Sequence, residues 1–545
     1  MQNKVLSIEG MQMSIQLAAL GFFALVCSGG FNSSKPRRFT VVTTFLLFYL
    51  YNTVYFFIDS LTGAGVDESV FYHLEQGMEG AGVGQFRGLF LAFIGVFAFG
   101  VLLAWVAWRY QNQNNMMPRG RACQRLAKVG QKPSLTLQLL ASFLVLLSFA
   151  VHPLSSDLLR HYAPSVAMTR RDKEDSALLS QQAYRDPKEM LQNFHPTKNL
   201  VYIYMEGLER TYFDPKIFPD VAPRLRKWED SKDTTAFTDL SQFGPTTGFT
   251  MGGMVASQCG IPIVSNKHGN DINILLGEAD GDFLPGVTCI GDVLKGAGYR
   301  QTFVGGADLA FAGKGRFFKS HGFDTVLGKD ELIEKYYNNE KNVSMASWGL
   351  YDDAMLDIAF DQYKTLSASN DPFSLYALTL DTHDLHPSPR CKEDNVLVGD
   401  KTMLDSVRCT DYLVDKFLHR VVNHDIKHGI NNTLIVVGSD HLHMGYSNIQ
   451  KHIHQRNGHG KQRRNSLIVV DNDRNSPSVH NMPGTTMDIP STILKFLGRP
   501  DTAFGLGRDL TSRKTRASRD NDDFESTFRK IVESMMNNYK FTVTD

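Results

Sequence analysis

Four long stretches without a charged side chain dominate the first 156 residues of this 545-residue chain. A helix needs about 20 apolar residues to cross a bilayer, and each stretch offers roughly that length. The stretches are Gly10–Ser34, Phe39–Ile58, Gly88–Trp108 and Pro133–Ser156. Buried helices of a soluble core are the alternative, but four such stretches so close together favour four transmembrane helices. A purely cytosolic enzyme is therefore disfavoured.

The charges between these stretches predict their orientation. The first loop carries Lys35, Arg37 and Arg38, and the third loop, 109–132, has only basic charges. The second loop is acidic from residue 59 to residue 79 and has no basic residue before Arg87. Because loops rich in Lys and Arg stay in the cytoplasm, everything after Ser156 is expected outside it. We predict a membrane anchor over 1–156 and a juxtamembrane connector over 157–196.

The remaining sequence alternates between short apolar runs and amphipathic stretches. This pattern predicts an α/β domain over 197–511, with a mostly parallel sheet and helices on both of its faces. A polar tail follows over 512–545, with one helix near Phe524–Met536. Lys plus Arg and Asp plus Glu each number 57, and this balance argues against binding to nucleic acid. The predicted strands are Asn199–Tyr204, Gln301–Val304, Phe373–Leu380, Thr433–Val437 and Leu467–Val470.

Four cysteines fall in the predicted outer part, where an oxidising compartment favours disulfides. They are Cys259, Cys289, Cys391 and Cys409. Three pairings are open, and we favour the near neighbours in sequence, Cys259–Cys289 and Cys391–Cys409. Four unpaired buried thiols are the alternative.

Polar residues with metal-binding side chains follow three of the predicted strands. Glu206 follows the first strand, His383 the third, and Asp440-His441 the fourth. Functional residues gather at the carboxyl ends of strands in such sheets, so these side chains are expected to meet. Oxygen and imidazole ligands suit Mn²⁺ or Zn²⁺, and Mg²⁺ less well. Each residue alone is a weak signal, because a histidine after a strand is commonly structural.

A turn rich in glycine and threonine, Gly244–Met254, leads into a helix of small residues. Thr250 would begin that helix, and a hydroxyl at this position is a candidate nucleophile. A dication bound to the oxygen would lower the pKa of the hydroxyl and hold it for attack. An ordinary N-cap threonine is the equally weighted alternative.

These residues, in this order, resemble the membrane-anchored transferases of the alkaline phosphatase/sulfatase superfamily. Several short stretches are more similar still to the phosphoglycerol transferase I family, whose members modify osmoregulated periplasmic glucans. The matching stretches are Asn199–Asp214, Gly253–Pro262, Phe311–Lys314, Lys319–Asp324 and Ser439–Leu442. One departure is Gly207, where the close family usually has Ser.

The resemblance implies roles for individual residues. Glu206, Thr250, Asp440 and His441 would bind one divalent metal, Mn²⁺ being favoured, and Thr250 would be the nucleophile. His383 would bind the head group or protonate the leaving oxygen, and Lys314 would contact the substrate. His386, His443 and His459 are taken as surface or supporting residues.

The implied reaction takes phosphoglycerol from phosphatidylglycerol and passes it to a periplasmic glucan, in a multi-pass protein of the bacterial inner membrane. A phosphoethanolamine transferase, a hydrolase of the same fold and a non-catalytic sensor are the alternatives. A sulfatase is disfavoured, because Cys259-Gly260-Ile261-Pro262 lacks the spacing and the arginine of a formylglycine motif.

Overall fold

The computed structural model separates the chain into two compact units. One comprises Met1–Val70 and Phe86–Ala167, and the other Phe71–Gln85 and Met168–Asp545. A short piece of chain between two N-terminal helices thus belongs to the second unit. The structure describes residues 2–27, 35–62, 65–76, 79–81, 87–113, 135–159, 184–190, 194–243, 245–263, 281–338, 343–369, 371–384, 386–399, 403–443, 463–471, 478–499 and 503–512.

The first unit is helical. Its helices are α1 (Gln2–Cys27), α2 (Lys35–Thr62), α4 (Arg87–Gln113) and α5 (Leu135–Ala150), and α3 (Glu68–Gln76) runs from this unit into the second. Within the described ranges, two helical spans, Phe39–Thr62 and Arg87–Val106, are long and apolar enough to cross a membrane. The bent pair Gln138–Ala150 and Pro153–Leu159 would be a third span, whereas the apolar part of α1, Gly10–Leu25, is shorter. The count of four spans therefore stays a prediction.

Small residues let these helices approach closely. A Cβ on Gly21 of α1 would lie 2.9 Å from the Ala141 carbonyl oxygen of α5, and Ser14 donates a hydrogen bond to the Ser148 carbonyl at 2.7 Å. Gly100 of α4 lies against the ring of Tyr49 in α2. Close helix contacts through glycine and serine are typical of helix pairs in membranes.

A nine-stranded sheet, counted over the described residues, forms the centre of the second unit. Its order is β4-β3-β5-β1-β6-β7-β2-β8, with β9 also paired to β2. The strands are β1 (Asn199–Met205), β2 (Thr234–Ser241), β3 (Arg300–Gly305), β4 (Thr325–Leu327), β5 (Phe373–Leu378), β6 (Thr433–Ser439), β7 (Asn465–Asp471), β8 (Ser478–His480) and β9 (Gly484–Thr485). A separate antiparallel pair joins β10 (Ala503–Phe504) to β11 (Gly507–Arg508).

The predicted sheet is confirmed, with one reversed strand. β7 runs antiparallel to both β6 and β2, whereas the other pairs in the large sheet are parallel. β2 was not predicted, because its residues, Thr234–Ser241, mix polar and apolar side chains without a continuous apolar run. The tail helix predicted near Phe524–Met536 lies outside the described residues.

Both faces of the sheet are buried. In β1, Leu200, Tyr202 and Tyr204 enter one hydrophobic core, whereas Val201 and Ile203 enter the other. A central parallel strand buried on both sides has an unbroken apolar sequence, which is why its position could be predicted.

Helices cover the sheet on both sides. They are α6 (Pro223–Glu229), α7 (Thr250–Cys259), α8 (Ile290–Gly296), α9 (Lys314–Ser320), α10 (Lys329–Tyr337), α11 (Asp352–Ser367), α12 (Asp381–Asp384), α13 (Pro389–Glu393), α14 (Met403–His428) and α15 (Ile489–Phe496). Both favoured disulfides are confirmed. Cys259–Cys289 ties the end of α7 to the start of α8, and Cys391–Cys409 ties α13 to α14.

Candidate active site

Two neighbouring parallel strands deliver the acidic residues of the site. Met205, the last residue of β1, pairs with Ser439, the last residue of β6. The next residues, Glu206 on one strand and Asp440-His441 on the other, therefore emerge side by side at the carboxyl edge of the sheet. All three are buried.

The three side chains present their ligand atoms to one another. His441 Nε2 lies 3.0 Å from Glu206 Oε1 and 3.4 Å from Asp440 Oδ2. One ligand atom from each residue lies within 4.8 Å of the others. The Leu442 carbonyl lies 2.8 Å from His441 Nδ1 and takes a hydrogen bond from it when that nitrogen is protonated, which turns Nε2 toward the two carboxylates.

Thr250 reaches the same cluster from α7. Phe249 is the N-cap residue, in extended conformation, and Thr250 is the first residue of the helix. The Thr250 hydroxyl donates to Glu206 Oε2 at 3.1 Å. The hydroxyl is therefore directed at the carboxylate cluster, and it does not serve as the N-cap of the helix.

Close approach of α7 to the strand ends depends on Gly253. A Cβ at this position would lie 1.8 Å from the Asp440 carbonyl oxygen, far inside contact distance. Only glycine permits this separation between the helix and the backbone of a candidate ligand. This close approach explains why α7 has a glycine at position 253.

Backbone hydrogen bonds hold the strand ends in register. Gly207 N donates to Asp440 Oδ1 at 2.9 Å, and Glu206 N donates to the Thr379 hydroxyl at 3.0 Å. Gly207 has φ +56°, a left-handed conformation that disfavours a side chain. The backbone conformation therefore suits Gly at the position where the resemblance leads one to expect Ser.

Lys314 enters from a tight turn. Ala312 and Gly313 both have positive φ, +58° and +73°, and Lys314 then begins α9 with its side chain buried. Burial lowers the pKa of Lys314, and the negative charges of Glu206, Asp440 and Asp308 oppose that shift. The ammonium group therefore lies within electrostatic range of the carboxylate cluster.

His383 lies in α12, just after β5, and its ring packs on Trp348 with centroids 4.4 Å apart. Burial would raise the pKa of Glu206, but the charges of His441 and, more weakly, His383 hold it below the ordinary value. Thr250 and His441 thus bond to Glu206 directly, and the charges of His383 and Lys314 interact with it.

Two buried carboxyls support the turn that carries His383. Asp381 accepts hydrogen bonds from the backbone N–H of Ser388 at 2.7 Å and of Asp352 at 3.0 Å. Asp352 in turn accepts from the Thr410 hydroxyl at 3.1 Å. Burial raises the pKa of Asp352 to about 7, and burial together with Asp352 raises that of Asp381.

The cluster fits a divalent metal. Asp440 Oδ2 is buried and has no hydrogen-bond partner among the described residues, an arrangement that costs free energy unless a cation is bound. Burial disfavours charge on His441, yet Asp440 and Glu206 raise its pKa to about 10. Burial, reinforced by Glu206, raises the pKa of Asp440. The raised pKa values mean that bound protons compensate the negative charge of the two carboxylates. A dication would supply this positive charge in their place.

One ion pair near the site, between partly buried Arg463 and buried Glu209, was not predicted from the sequence. Arg463 Nε donates to Glu209 Oε2 at 2.7 Å, and its Nη2 donates to the His443 carbonyl at 2.8 Å. Burial and the charge of Arg463 lower the pKa of His443 to about 3, so this imidazole is neutral. His443 is thus a supporting residue, whereas His386 is exposed and His459 lies outside the described residues.

No local sequence signal links Arg463 to Glu209, because the two lie 254 residues apart.

Comparison with known proteins matches both units to family models. The sulfatase model matches residues 198–499, and a model of the N-terminal domain of phosphoglycerol transferase I matches residues 11–172. A phosphoglycerol transferase I from Xanthomonas euvesicatoria is 34% identical over 86% of this chain and 61% of its own length. One from Salmonella arizonae is 34% identical over 86% of this chain and 56% of its own. The chain thus spans about three fifths of the length of the curated relatives it matches.

Among solved structures, a lipoteichoic acid synthase from Listeria monocytogenes is 14% identical, with 68% of this chain and 99% of that chain covered and a TM-score of 0.47. The sulfatase model covers more than half of the present sequence and includes all six candidate residues of the site. The chain belongs to the sulfatase family.

Proposed function

We propose that the chain transfers phosphoglycerol from phosphatidylglycerol to a periplasmic glucan. The observation that carries the proposal is the Thr250 hydroxyl, 3.1 Å from Glu206 in a buried cluster of two carboxylates and an imidazole. A nucleophile beside such a cluster suits phosphoryl transfer. The relatives named phosphoglycerol transferase I support this choice of phosphoryl group.

The proposed reaction has two displacement steps. In the first, the Thr250 hydroxyl loses its proton to solvent and its Oγ bonds to phosphorus, the bond from phosphorus to the diacylglycerol oxygen breaks, and protonated His383 gives that oxygen a proton. A glycerophospho-threonine remains. In the second, an acceptor hydroxyl of the glucan bonds to phosphorus and gives its proton to neutral His383, while the bond from phosphorus to Thr250 breaks and leaves the Thr250 oxygen deprotonated for the next cycle. Acid–base assistance of this kind contributes about 10²–10⁴-fold.

Glu206, Asp440, His441 and Thr250 are the residues that would hold the metal, with Mn²⁺ preferred for its mixed oxygen and nitrogen ligands. When bound, the metal lowers the pKa of the threonine hydroxyl and neutralises charge on the phosphoryl group. Lys314 would bind the phosphate or the glycerol hydroxyls, since its ammonium group lies within range of the same carboxylates. Glu206, Lys314, Asp440 and His441 are buried, whereas Thr250 is partly exposed and so accessible to a substrate.

We place the protein in the inner membrane as a multi-pass protein with its catalytic unit in the periplasm. Phe71–Gln85 and Met168–Asp545 belong to one compact unit, so both stretches must lie on the same side of the bilayer. The chain between them then crosses an even number of times, which supports two crossings by α4 and the bent pair after it. Anchoring confines enzyme and lipid donor to one surface and raises their effective concentration.

The test uses the full chain in detergent with Mn²⁺, phosphatidylglycerol and a β-glucan oligosaccharide. We expect diacylglycerol release and a glycerophosphorylated glucan from the wild type, and neither from Thr250→Ala. Thr247→Ala is the matched control, because that hydroxyl bonds to the Phe243 backbone and not to the carboxylate cluster, and it should retain transfer. Full activity of Thr250→Ala would contradict the assignment.

The same assay separates the alternatives. Transfer from phosphatidylethanolamine in place of phosphatidylglycerol would make the chain a phosphoethanolamine transferase. Release of glycerophosphate without transfer to any glucan would make it a hydrolase. A formylglycine sulfatase is opposed by Cys259, whose sulfur is bonded to Cys289.

A further inference from the structure

The second unit contains a piece of chain that the sequence places among the membrane helices. Phe71–Gln85 lies between α2 and α4, yet it belongs to the same compact unit as the candidate active site. Tyr72, in α3, is fully buried there and is part of the hydrophobic core on the side of the sheet that carries α7. A loop between two membrane helices thus supplies a core residue beside the nucleophile helix.

Tyr72 contacts two functional segments at once. Its ring packs on Phe249, the residue before Thr250, with centroids 4.9 Å apart. Its hydroxyl donates to the Ala312 carbonyl at 2.7 Å. Ala312 opens the turn of positive φ that leads into Lys314, and such a turn persists only when its surroundings hold it.

An arc of aromatic rings extends these contacts around the site. His73 packs edge-on against Phe249 at 5.6 Å and stacks on Phe311 at 5.5 Å. Phe311 packs on Trp348 at 4.9 Å, and Trp348 packs on His383 at 4.4 Å. The rings therefore form a continuous chain from the residue before the nucleophile to the proposed substrate-binding histidine.

A second contact fixes the same segment. Gly80 has φ +73°, and a Cβ at this position would lie 2.7 Å from Asp308 Cβ. Asp308 accepts a hydrogen bond from Lys329 at 3.1 Å, and its charge acts on Lys314. The segment thus contacts the neighbourhood of Lys314 at two separate points, Ala312 and Asp308.

We propose that Tyr72 is a positioning residue of the active site, which holds Phe249 through its ring and the turn before Lys314 through its hydroxyl. The loop between α2 and α4 is then a structural part of the catalytic centre, so the centre is built from two separate stretches of chain. Tyr72 touches no reacting atom. It acts through the orientation of Thr250 and Lys314.

The test compares Tyr72→Phe with Tyr299→Phe in the full chain. Tyr299 is an equally buried tyrosine whose hydroxyl also donates to a backbone carbonyl, that of Lys198. Lys198 precedes the first residue of β1, whereas Glu206 follows the last, so this bond lies at the opposite edge of the sheet from the site. Both variants lose one buried hydrogen bond and should lose similar stability. Only Tyr72→Phe should raise the KM for lipid, by roughly three- to tenfold.

Two further variants test the ring of Tyr72 and the position of its segment. Tyr72→Leu should lower kcat as well, because Phe249 loses its packing partner. Gly80→Ala removes no functional group, yet it should raise KM in the same way because the segment is displaced. Equal KM and kcat in Tyr72→Phe and Tyr299→Phe, measured per folded molecule, would overturn the proposal.

A labelling experiment that needs no turnover tests the positioning role of Tyr72 separately from the proposed function. Only the predicted changes in KM and kcat rest on the proposed function. Lys314 is 4% exposed, so an amine-reactive acetylating reagent should modify it slowly. Mass spectrometry should find acetylation of Lys314 at least about threefold faster in Tyr72→Phe and unchanged in Tyr299→Phe. A wild type that is inactive on phosphatidylglycerol would refute the proposed function alone, whereas unchanged labelling of Lys314 would refute the positioning by Tyr72.

Discussion

Gly253→Ala should disable the site without removing a functional group. The added Cβ would lie 1.8 Å from the Asp440 carbonyl oxygen, whereas a carbon and an oxygen in contact are normally more than about 3 Å apart. The helix must therefore move by about 1 Å or more, and the 3.1 Å bond from Thr250 to Glu206 cannot survive unchanged. A displacement of about 1 Å can cost roughly 10²-fold in rate, and overpacking costs about 1–3 kcal/mol of stability.

Gly291→Ala is the matched control for this change. Gly291 also lies in a helix against a backbone carbonyl, that of His321, and a Cβ there would lie 2.3 Å from the carbonyl oxygen. The Cys259–Cys289 disulfide joins α8, the helix of Gly291, to the last residue of α7, whereas Thr250 is the first residue of α7. The change is therefore remote from the carboxylate cluster.

Thermal unfolding, Mn²⁺ titration calorimetry and diacylglycerol release should be measured on both variants. Both should unfold at lower temperature, and only Gly253→Ala should lose turnover per folded molecule. Wild-type turnover in Gly253→Ala would refute the need for close packing of α7 on the carboxylate cluster.

Three further changes have defined outcomes. Glu206→Gln should weaken Mn²⁺ binding by at least about tenfold in calorimetry, because a charged ligand is lost; unchanged affinity would exclude Glu206 as a ligand. Lys314→Gln should raise the KM for lipid more than it lowers kcat, and the reverse pattern would assign Lys314 to the chemical step. Burial raises the pKa of Asp352 to about 7, above the unfolded value of about 3.9, so the folded state holds a proton and loses stability as the pH rises from about 4 to about 7. Asp352→Asn should make this fall in thermal stability shallower, whereas Asp361→Asn, on the exposed side of the same helix, should not.

Much of the site could be predicted because its residues follow continuous apolar strands. β1 and β6 are buried on both faces, so their sequences are unbroken apolar runs and their ends are easy to locate. Glu206 and Asp440 come directly after those ends. The disulfides could also be predicted, since each joins two cysteines that are near in sequence and belong to the same unit.

Long-range packing could not be predicted from the sequence. Nothing local distinguishes a buried Tyr72 from an exposed one in a loop between apolar helices, and its partners lie at Phe249 and Ala312. The reversed direction of β7 has no sequence signal either, because an apolar run carries no sign of strand polarity. Arg463, which pairs with Glu209 beneath the site, begins that same reversed segment.

Mass spectrometry of the trapped enzyme tests the central claim most directly. The full chain is incubated with Mn²⁺ and phosphatidylglycerol in the absence of glucan, quenched in acid and digested. The proposed mechanism predicts a glycerophosphate adduct on the peptide that contains Thr250, together with released diacylglycerol. Diacylglycerol release with no adduct on Thr250 would contradict a double displacement through this residue.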